Sequence, residues 1–288
     1  MTPSENASKV HVIAEALPYI RRYHGKTIVI KYGGNAMIDE DLQKAFAADV
    51  TLLKLVGINP VVVHGGGPQI NRTLERVGLK SRFVEGMRYT DSDTMDIVEM
   101  VLGGLVNQQI VQLINSHGAR AVGMTGKDGG LIRARQMKAG AAGEVDIGLV
   151  GKVESVDADL LVTLDGADFI PVIAPIGADD KGRTLNINAD LVASRIAVAL
   201  AADSLFLLTN TAGVLDKKNK LVTELNAAAA RKMLRDGVIA GGMKPKVDCA
   251  LEAVKGGVRS CRIINGTARH SLLLECFTDV GAGTRILP

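Results

Sequence analysis

Tryptophan is absent from the 288-residue chain, and four tyrosines and five phenylalanines bring its aromatic content to only 3%. That leaves little material for stacking on bases or sugars. Charge of one sign is also lacking: 34 Lys and Arg against 31 Asp and Glu give a net charge of +3 without a basic block, which argues against a nucleic-acid footprint. The three cysteines, Cys249, Cys261 and Cys276, stand at irregular spacing with no CxxC, so the expectation is buried thiols rather than a disulfide framework or a zinc site. No signal-peptide core is read at the N-terminus, and no apolar run reaches the roughly 18 to 20 residues of a membrane span. The expectation is a soluble, cytoplasmic protein whose partners are small molecules and copies of itself, with no nucleic acid and no membrane.

Hydrophobic residues make up 47% of the chain and glycines number 32, which suits a compact, enzyme-like globule. Ser8 to Tyr23 place Val10, Ile13, Leu17 and Ile20 at helical spacing, predicting an amphipathic helix that packs on its own domain or on a neighbouring subunit. Apolar strands then alternate with helical patterns: strands at 27–31, 60–63 and 120–124, helices at 41–56 and 68–77, and one long helix at 92–115. The rhythm breaks into glycine-punctuated runs between Gly126 and Val156, which resemble hairpins of a lid or edge. It resumes with strands at 169–174, 204–208 and 259–264 and helices at 157–165, 188–201, 226–235 and 243–255. This alternation predicts an α/β fold, a mostly parallel central sheet with helices on both faces. A second lobe begins between Ile176 and Arg183, dividing the chain into an N-terminal helix at 1–24, a lobe at 25–178 and a lobe at 179–288.

Five clusters carry chemistry. "TIVIKYGGNAM" runs a strand into Lys31 and two glycines, and a lysine at the end of a buried strand needs an anionic partner. "VVVHGGGPQI" puts Gly65, Gly66 and Gly67 before a proline suited to a first helical turn, a phosphate cradle or simply a tight turn. "TLNINADLVASRIA" lets Asn188 cap a helix with Asp190 in its first turn, a capping function that leaves Asn186 unexplained. "GGMKPKVDCA" sets Lys244 and Lys246 at a helix start, where cations oppose the helix dipole unless an anion is held between them. Arg88 in "EGMRYTD" suits a bidentate grip on a carboxylate, or a solvated surface.

Several fingerprints fail. A Walker A loop ending at Thr27 needs glycine where Ile20 stands, and a dinucleotide GxGxxG needs glycine where Ile70 stands. "HGGG" also occurs as an esterase oxyanion turn, but no G-x-S-x-G elbow accompanies it. The five histidines form no HExxH, and no metal-ligating residues are assigned.

Taken together, "IVIKYGGNAM", "VVVHGGGPQI", "GMRYTD", "NINAD", "LLTNTAGVLD", "GGMKPKV" and "LLLECFTDVGAGTRI" resemble the amino-acid kinase family over nearly the whole chain, in the branch that acts on N-acetyl-L-glutamate. The resemblance implies a three-layer α/β/α sandwich and ATP-dependent phosphorylation of the substrate's γ-carboxylate to an acyl phosphate, with Mg²⁺ on the ATP. It implies that Lys31 and Lys246 flank the transferring phosphoryl group, that Asp190 orients them, and that Gly33, Gly34, Thr209 and Lys244 bind ATP. Gly66 and Gly67 would hold the substrate, Arg88 its α-carboxylate and Asn186 its amide region. Asn210 and Thr211 depart from the aspartate and valine usual there, which bears on nucleotide binding. The N-terminal helix and "RHSLLLECFTDVGAGTRI" resemble an arginine-inhibited homo-hexamer, a trimer of dimers, with Glu275, Gly283 and Lys217 or Lys218 as contacts for L-arginine. Another carboxylate or carbamate kinase of the family, or a catalytically silent arginine-sensing assembly, are the alternatives.

Overall fold

The computed structural model describes residues 3–140, 145–279 and 281–288, with the side chains of 3–10, 12 and 13 outside that description. Val10 and Ile13 of the N-terminal helix therefore lie outside the described side chains. In chain order the first elements are α1 (Pro3–Tyr23), β1 (Thr27–Tyr32), α2 (Glu40–Leu55), β2 (Asn59–His64), α3 (Gly67–Arg76), β3 (Phe83–Val84) and β4 (Met87–Arg88). Next come α4 (Ser92–Glu99), a π-helical segment at Met100–Val106, α5 (Asn107–Ser116), β5 (Ala121–Thr125), β6 (Ile132–Ala139), β7 (Val145–Val156), α6 (Asp159–Gly166) and β8 (Ile170–Ala174). The remainder comprises β9 (Ile176–Ala178), β10 (Thr184–Ile187), α7 (Ala189–Ala199), β11 (Ser204–Thr209), β12 (Glu224–Asn226), α8 (Ala227–Arg235), α9 (Met243–Lys255), β13 (Ser260–Asn265), α10 (Ser271–Phe277) and β14 (Gly283–Leu287).

One eight-stranded sheet runs in the order β12-β14-β13-β11-β1-β2-β8-β5, and β13 with β14 is its antiparallel pair. Strands β1, β2, β8, β11 and β13 are apolar at nearly every position because helices cover both faces, which is the expected mostly parallel α/β architecture. From β1 the chain moves outward to β2 on one side, while β11 and β13 fill the other, so the carboxyl ends of β1 and β11 border the crevice where an open α/β sheet binds ligands.

The sequence pattern differs from the structure in three places. The hairpin at 126–156 is not a free edge: β6 and β7 close with β9 and β10 into a small barrel, so the segment from 176 to 187 belongs to that barrel. The long helix expected at 92–115 is interrupted by its π-helical segment, the extra backbone width that often accompanies functional sites. Helix α10 and strand β14 are elements the pattern did not show, and β14 lies between the edge strand β12 and β13, antiparallel to β13. The stretch Ser92–Ser116 is long and apolar enough to cross a membrane by length and composition alone. Here its Met95, Val98, Leu102, Val106, Ile110 and Ile114 are buried in the core against helix α2 and the sheet.

Two buried titrating groups give opposite pH responses. Burial pushes the Asp49 carboxyl up from 3.8 to about 6 despite its 2.6 Å contact with His270, whereas burial pushes His64 down from 6.5 to about 4. Asp49 has a raised folded-state value, so its contribution is present below about 3.8 and lost as pH rises through about 6. His64 has a depressed one, so its contribution is present above 6.5 and lost as pH falls through about 4. Asp49→Asn removes one of the opposing slopes. Its unfolding free energy, measured by urea titration, is expected to fall more steeply than that of the parent between pH 6.5 and 4, by about 2 kcal/mol; parallel curves would contradict this.

Candidate active site

The lysine at the end of β1 has an anionic partner within the protein. Lys31 Nζ lies 3.2 Å from Asp190 Oδ1, and Lys246 Nζ donates to Asp190 Oδ2 at 2.7 Å. Each side chain comes from a different element, and local chemistry fixes each. Asn188 caps α7 by accepting from the backbone N–H groups of Asp190 and Leu191, which sets Asp190 in the first turn. Lys246 lies in the first turn of α9, and Ser194 Oγ donates to Cys249 O, tying α7 to α9 within one turn of both charges. Gly33 makes room for Lys31, since a Cβ there would stand 2.6 Å from its Nζ.

Two ammonium groups share one carboxylate, and the site keeps an excess of positive charge in a largely dry environment. Burial lowers the Lys31 pKa, with Asp190 opposing the shift. Burial alone would raise Asp190, but Lys31 and Lys246 outweigh it and hold the carboxyl below its usual range. The Lys31 contact to Oδ1 lacks hydrogen-bond alignment, so the Lys31 ammonium retains donors for another anion.

The glycines around these charges differ in what they do. Gly34 adopts φ 73, and a Cβ there would meet Asn210 Oδ1 at 2.7 Å; that oxygen accepts from Asn35 N–H at 3.1 Å and joins the turn after β1 to the end of β11. Gly66 faces Leu102 of the π-helical segment, 2.5 Å from where its Cβ would stand. Gly67 has nothing within 4 Å of a Cβ, so no packing demands glycine there, and the space beside it at the α3 N-terminus is open.

Arg88 is buried, not the solvated surface residue its neighbours in sequence also allowed. It donates to Ser81 Oγ at 2.6 Å and Asn71 Oδ1 at 2.7 Å, and its guanidinium lies over the Phe83 ring. Among the described residues no carboxylate pairs with it, and burial pushes its pKa down. A buried guanidinium held only by neutral acceptors calls for an anion. Arg88 shares a cavity with Asn186 and Asn188, so the cap of the helix bearing Asp190 also lines the Arg88 site. Asn186 Nδ2 donates to Thr90 Oγ1 at 3.2 Å.

The profile of the amino acid kinase family matches residues 26–265. This chain belongs to that family. An acetylglutamate kinase of Nitrosomonas eutropha is 59% identical over 282 residues, 96% of each chain, and that of Alkalilimnicola ehrlichii is 58% identical over 99% of this chain and 98% of its own. Among solved structures, an N-acetylglutamate synthase of Neisseria gonorrhoeae, complexed with coenzyme A and N-acetyl-glutamate, superposes with a TM-score of 0.86 at 28% identity. This chain covers 63% of that synthase, and 97% of this chain is matched. The same synthase complexed with coenzyme A and L-arginine superposes at 0.81 over 96% of this chain and 65% of its own, with 27% identity.

In this amino acid kinase the other assigned residues fall in separate places. Thr209 ends β11 beside Asn210, at the crevice, and Lys244 is exposed in the first turn of α9, two residues from Lys246. Glu275 and Gly283 line a second cavity of about 220 Å³ with Tyr19, Arg22, Arg262 and Arg285. Glu275 is already engaged there: it forms an ion pair with Arg262, whose other terminal nitrogen donates to Tyr23 Oη at 2.8 Å, and it accepts from Ala282 N–H. Gly283 is glycine because β13 crowds it, a Cβ there colliding with Ile263 O. Lys217 does not join them. It is exposed on a turn that Asp216 organises by accepting from the N–H groups of Lys218 and Lys220, and it does not line the cavity. Asn71, Ser81 and Arg262 escaped the sequence pattern because each acts through a partner that only the fold supplies, and Asn210, marked there only as a departure, proves to join the turn after β1 to the end of β11.

Proposed function

We propose that this amino acid kinase transfers the γ-phosphoryl group of ATP to the γ-carboxylate of N-acetyl-L-glutamate, in a cytoplasmic step of arginine biosynthesis. The observation that carries the reading is the pair of lysines on one buried carboxylate, which leaves uncompensated positive charge where a phosphoryl group would pass. A carboxylate oxygen attacks the γ-phosphorus, the bond to the bridging oxygen breaks, and ADP leaves with that electron pair. Little covalent help is needed from the protein, so alignment and charge neutralisation supply the catalysis. Lys31 and Lys246 neutralise the equatorial oxygens, and Asp190 keeps both in position. Arg88 takes the α-carboxylate, Asn186 the amide region, and Gly66 and Gly67 donate N–H groups to the substrate. Gly33, Gly34, Thr209 and Lys244 serve the nucleotide, which brings Mg²⁺ on its phosphates; among the described residues no three His, Cys, Asp or Glu side chains gather as a metal site. The substrate lobe at 25–178 and the nucleotide lobe at 179–288 share the large sheet, and β10 of the second lobe completes the barrel formed by β6, β7 and β9 of the first. Relatives bearing the acetylglutamate kinase name at 58–59% identity support the choice of substrate.

Hydroxylamine trapping of acyl phosphate, with ATP and Mg²⁺, offered N-acetylglutamate, glutamate, aspartate and carbamate in turn, is expected to give product with the first. Product only with another acceptor would reassign the substrate, and none at all would favour a silent assembly.

L-Arginine inhibition is part of the same proposal, supported by the cavity between α1, α10 and β14, with α1 as the contact between dimers in a homo-hexamer. Deleting residues 1–24 is expected to leave an active dimer with weakened arginine inhibition. An unchanged hexamer, by light scattering, would remove α1 from that assembly.

A further inference from the structure

His64 has no part in the scheme above, yet it ends β2 fully buried and directly precedes the glycine turn. Its surroundings settle which ring nitrogen carries the proton. Asn107 Nδ2 lies 2.9 Å from Val172 O and 3.4 Å from Met124 O, and only an amide nitrogen can face those carbonyls. The same nitrogen is 3.1 Å from His64 Nε2, so Nε2 accepts and the proton sits on Nδ1. Nδ1–H then donates to Gly65 O at 2.8 Å. Room for the Asn107 carboxamide comes from Gly123, whose Cβ would collide with Asn107 Oδ1.

This contact determines more than one carbonyl. A trans peptide points its C=O and N–H in opposite directions, so holding Gly65 O against the His64 ring turns Gly66 N–H away from it. Among the described residues that N–H has no partner. Leu102 packs on Gly66 from the same helical stretch that delivers Asn107, so the turn is braced twice, once through a side chain and once through a tautomer.

We propose that Asn107 and His64 are positioning residues for substrate: Asn107 selects the Nδ1–H tautomer of His64, which locks the Gly65–Gly66 peptide so that Gly66 N–H is presented to the ligand carboxylate. This rests on the assignment of Gly66 to substrate binding. Because burial holds the imidazole neutral down to about pH 4, the lock stays in one protonation state across the working range of the enzyme.

The test combines ring ¹⁵N NMR of the full-length protein with steady-state kinetics. The parent is expected to show His64 protonated at Nδ1 alone, unchanged from pH 5.5 to 8. His64→Leu is expected to raise KM for N-acetylglutamate about tenfold, with kcat and KM for ATP within about threefold, because one orienting hydrogen bond is lost. His64→Asn, whose amide N–H₂ replaces Nδ1–H, should recover most of that loss. Asn107→Asp should move the proton to Nε2 and raise KM in the same way. An Nε2-protonated or charged ring in the parent overturns the inference. So does a folded His64→Leu, checked by circular dichroism, with the parent's KM. If the parent phosphorylates no N-acetylglutamate, the proposed function fails, and the ring nitrogens still decide whether Asn107 sets the tautomer.

Discussion

Lys31→Ala and Lys246→Ala are each expected to lower turnover on N-acetylglutamate by about a hundredfold to a thousandfold, the cost of removing one preorganised donor from a developing oxyanion. The charge arrangement explains why either loss is so costly. With both lysines, Asp190 is over-neutralised and the site keeps positive charge for the phosphoryl group; with one, the remaining ammonium and Asp190 cancel. The same arithmetic predicts that the fold survives, since Asp190 retains an ion-pair partner in each variant. Removing Asp190 is the contrasting case. Asp190→Asn leaves two buried ammonium groups facing one another without a counter-charge, so it should lower the urea midpoint as well as turnover. Turnover near the parent value in either purified lysine variant would take that lysine out of the mechanism.

Arg88→Ala is expected to raise KM for N-acetylglutamate on the order of a hundredfold or more, as leaving one charge of a buried pair unmatched costs about 3 kcal/mol. Stability should behave differently. Among the described residues Arg88 pairs with no carboxylate, so its removal abandons no counter-ion, and what is lost is the hydrogen bonds to Ser81, Asn71 and Gly67 O and the packing on Phe83. Affinity and stability therefore separate at this position. Arg88→Lys should not restore binding, because an ammonium cannot reproduce the guanidinium fork that reaches both neutral acceptors and a ligand. A Lys variant with the parent's KM would mean that charge alone is read there.

The long apolar strands were legible because burial on both faces leaves a continuous run, as in Val61 to Val63 and Leu205 to Leu208. Helix starts were legible where a cap announces them, as Asn188 does. The barrel was not, because Ile176–Ala178 and Thr184–Ile187 are too short for any period to show, and their partners lie in another part of the chain. The π-helical segment reads as ordinary helix, since its apolar residues continue the pattern on either side. At the site, Lys31 announced its need for an anion and the family resemblance set Asp190 beside both lysines, whereas spacing alone could not show a contact that spans 56 residues between Asp190 and Lys246. The burial of Arg88 was hidden for a similar reason, since Asn71 and Ser81 are unremarkable until the fold turns them inward. Glu275 invited a guanidinium, and the structure supplies one from within the chain, Arg262.

The π-helical segment between α4 and α5 carries a cost for anyone who would shorten the chain. Each residue of an α-helix advances the rotation by about 100°. A single deletion in Met100–Val106 that relaxed the segment to regular helix would be absorbed by the lost π turn, whereas one that left the π geometry in place would turn everything after it by somewhat less than that angle. In the second case Asn107 would swing off His64, and Leu102 and the glycine turn would fall out of register, although every element of the fold would still be present. The spacing between two helices thus behaves as a coding frame for the site: a homologue with one residue fewer here and the π turn kept could hold its shape and lose its grip on the substrate.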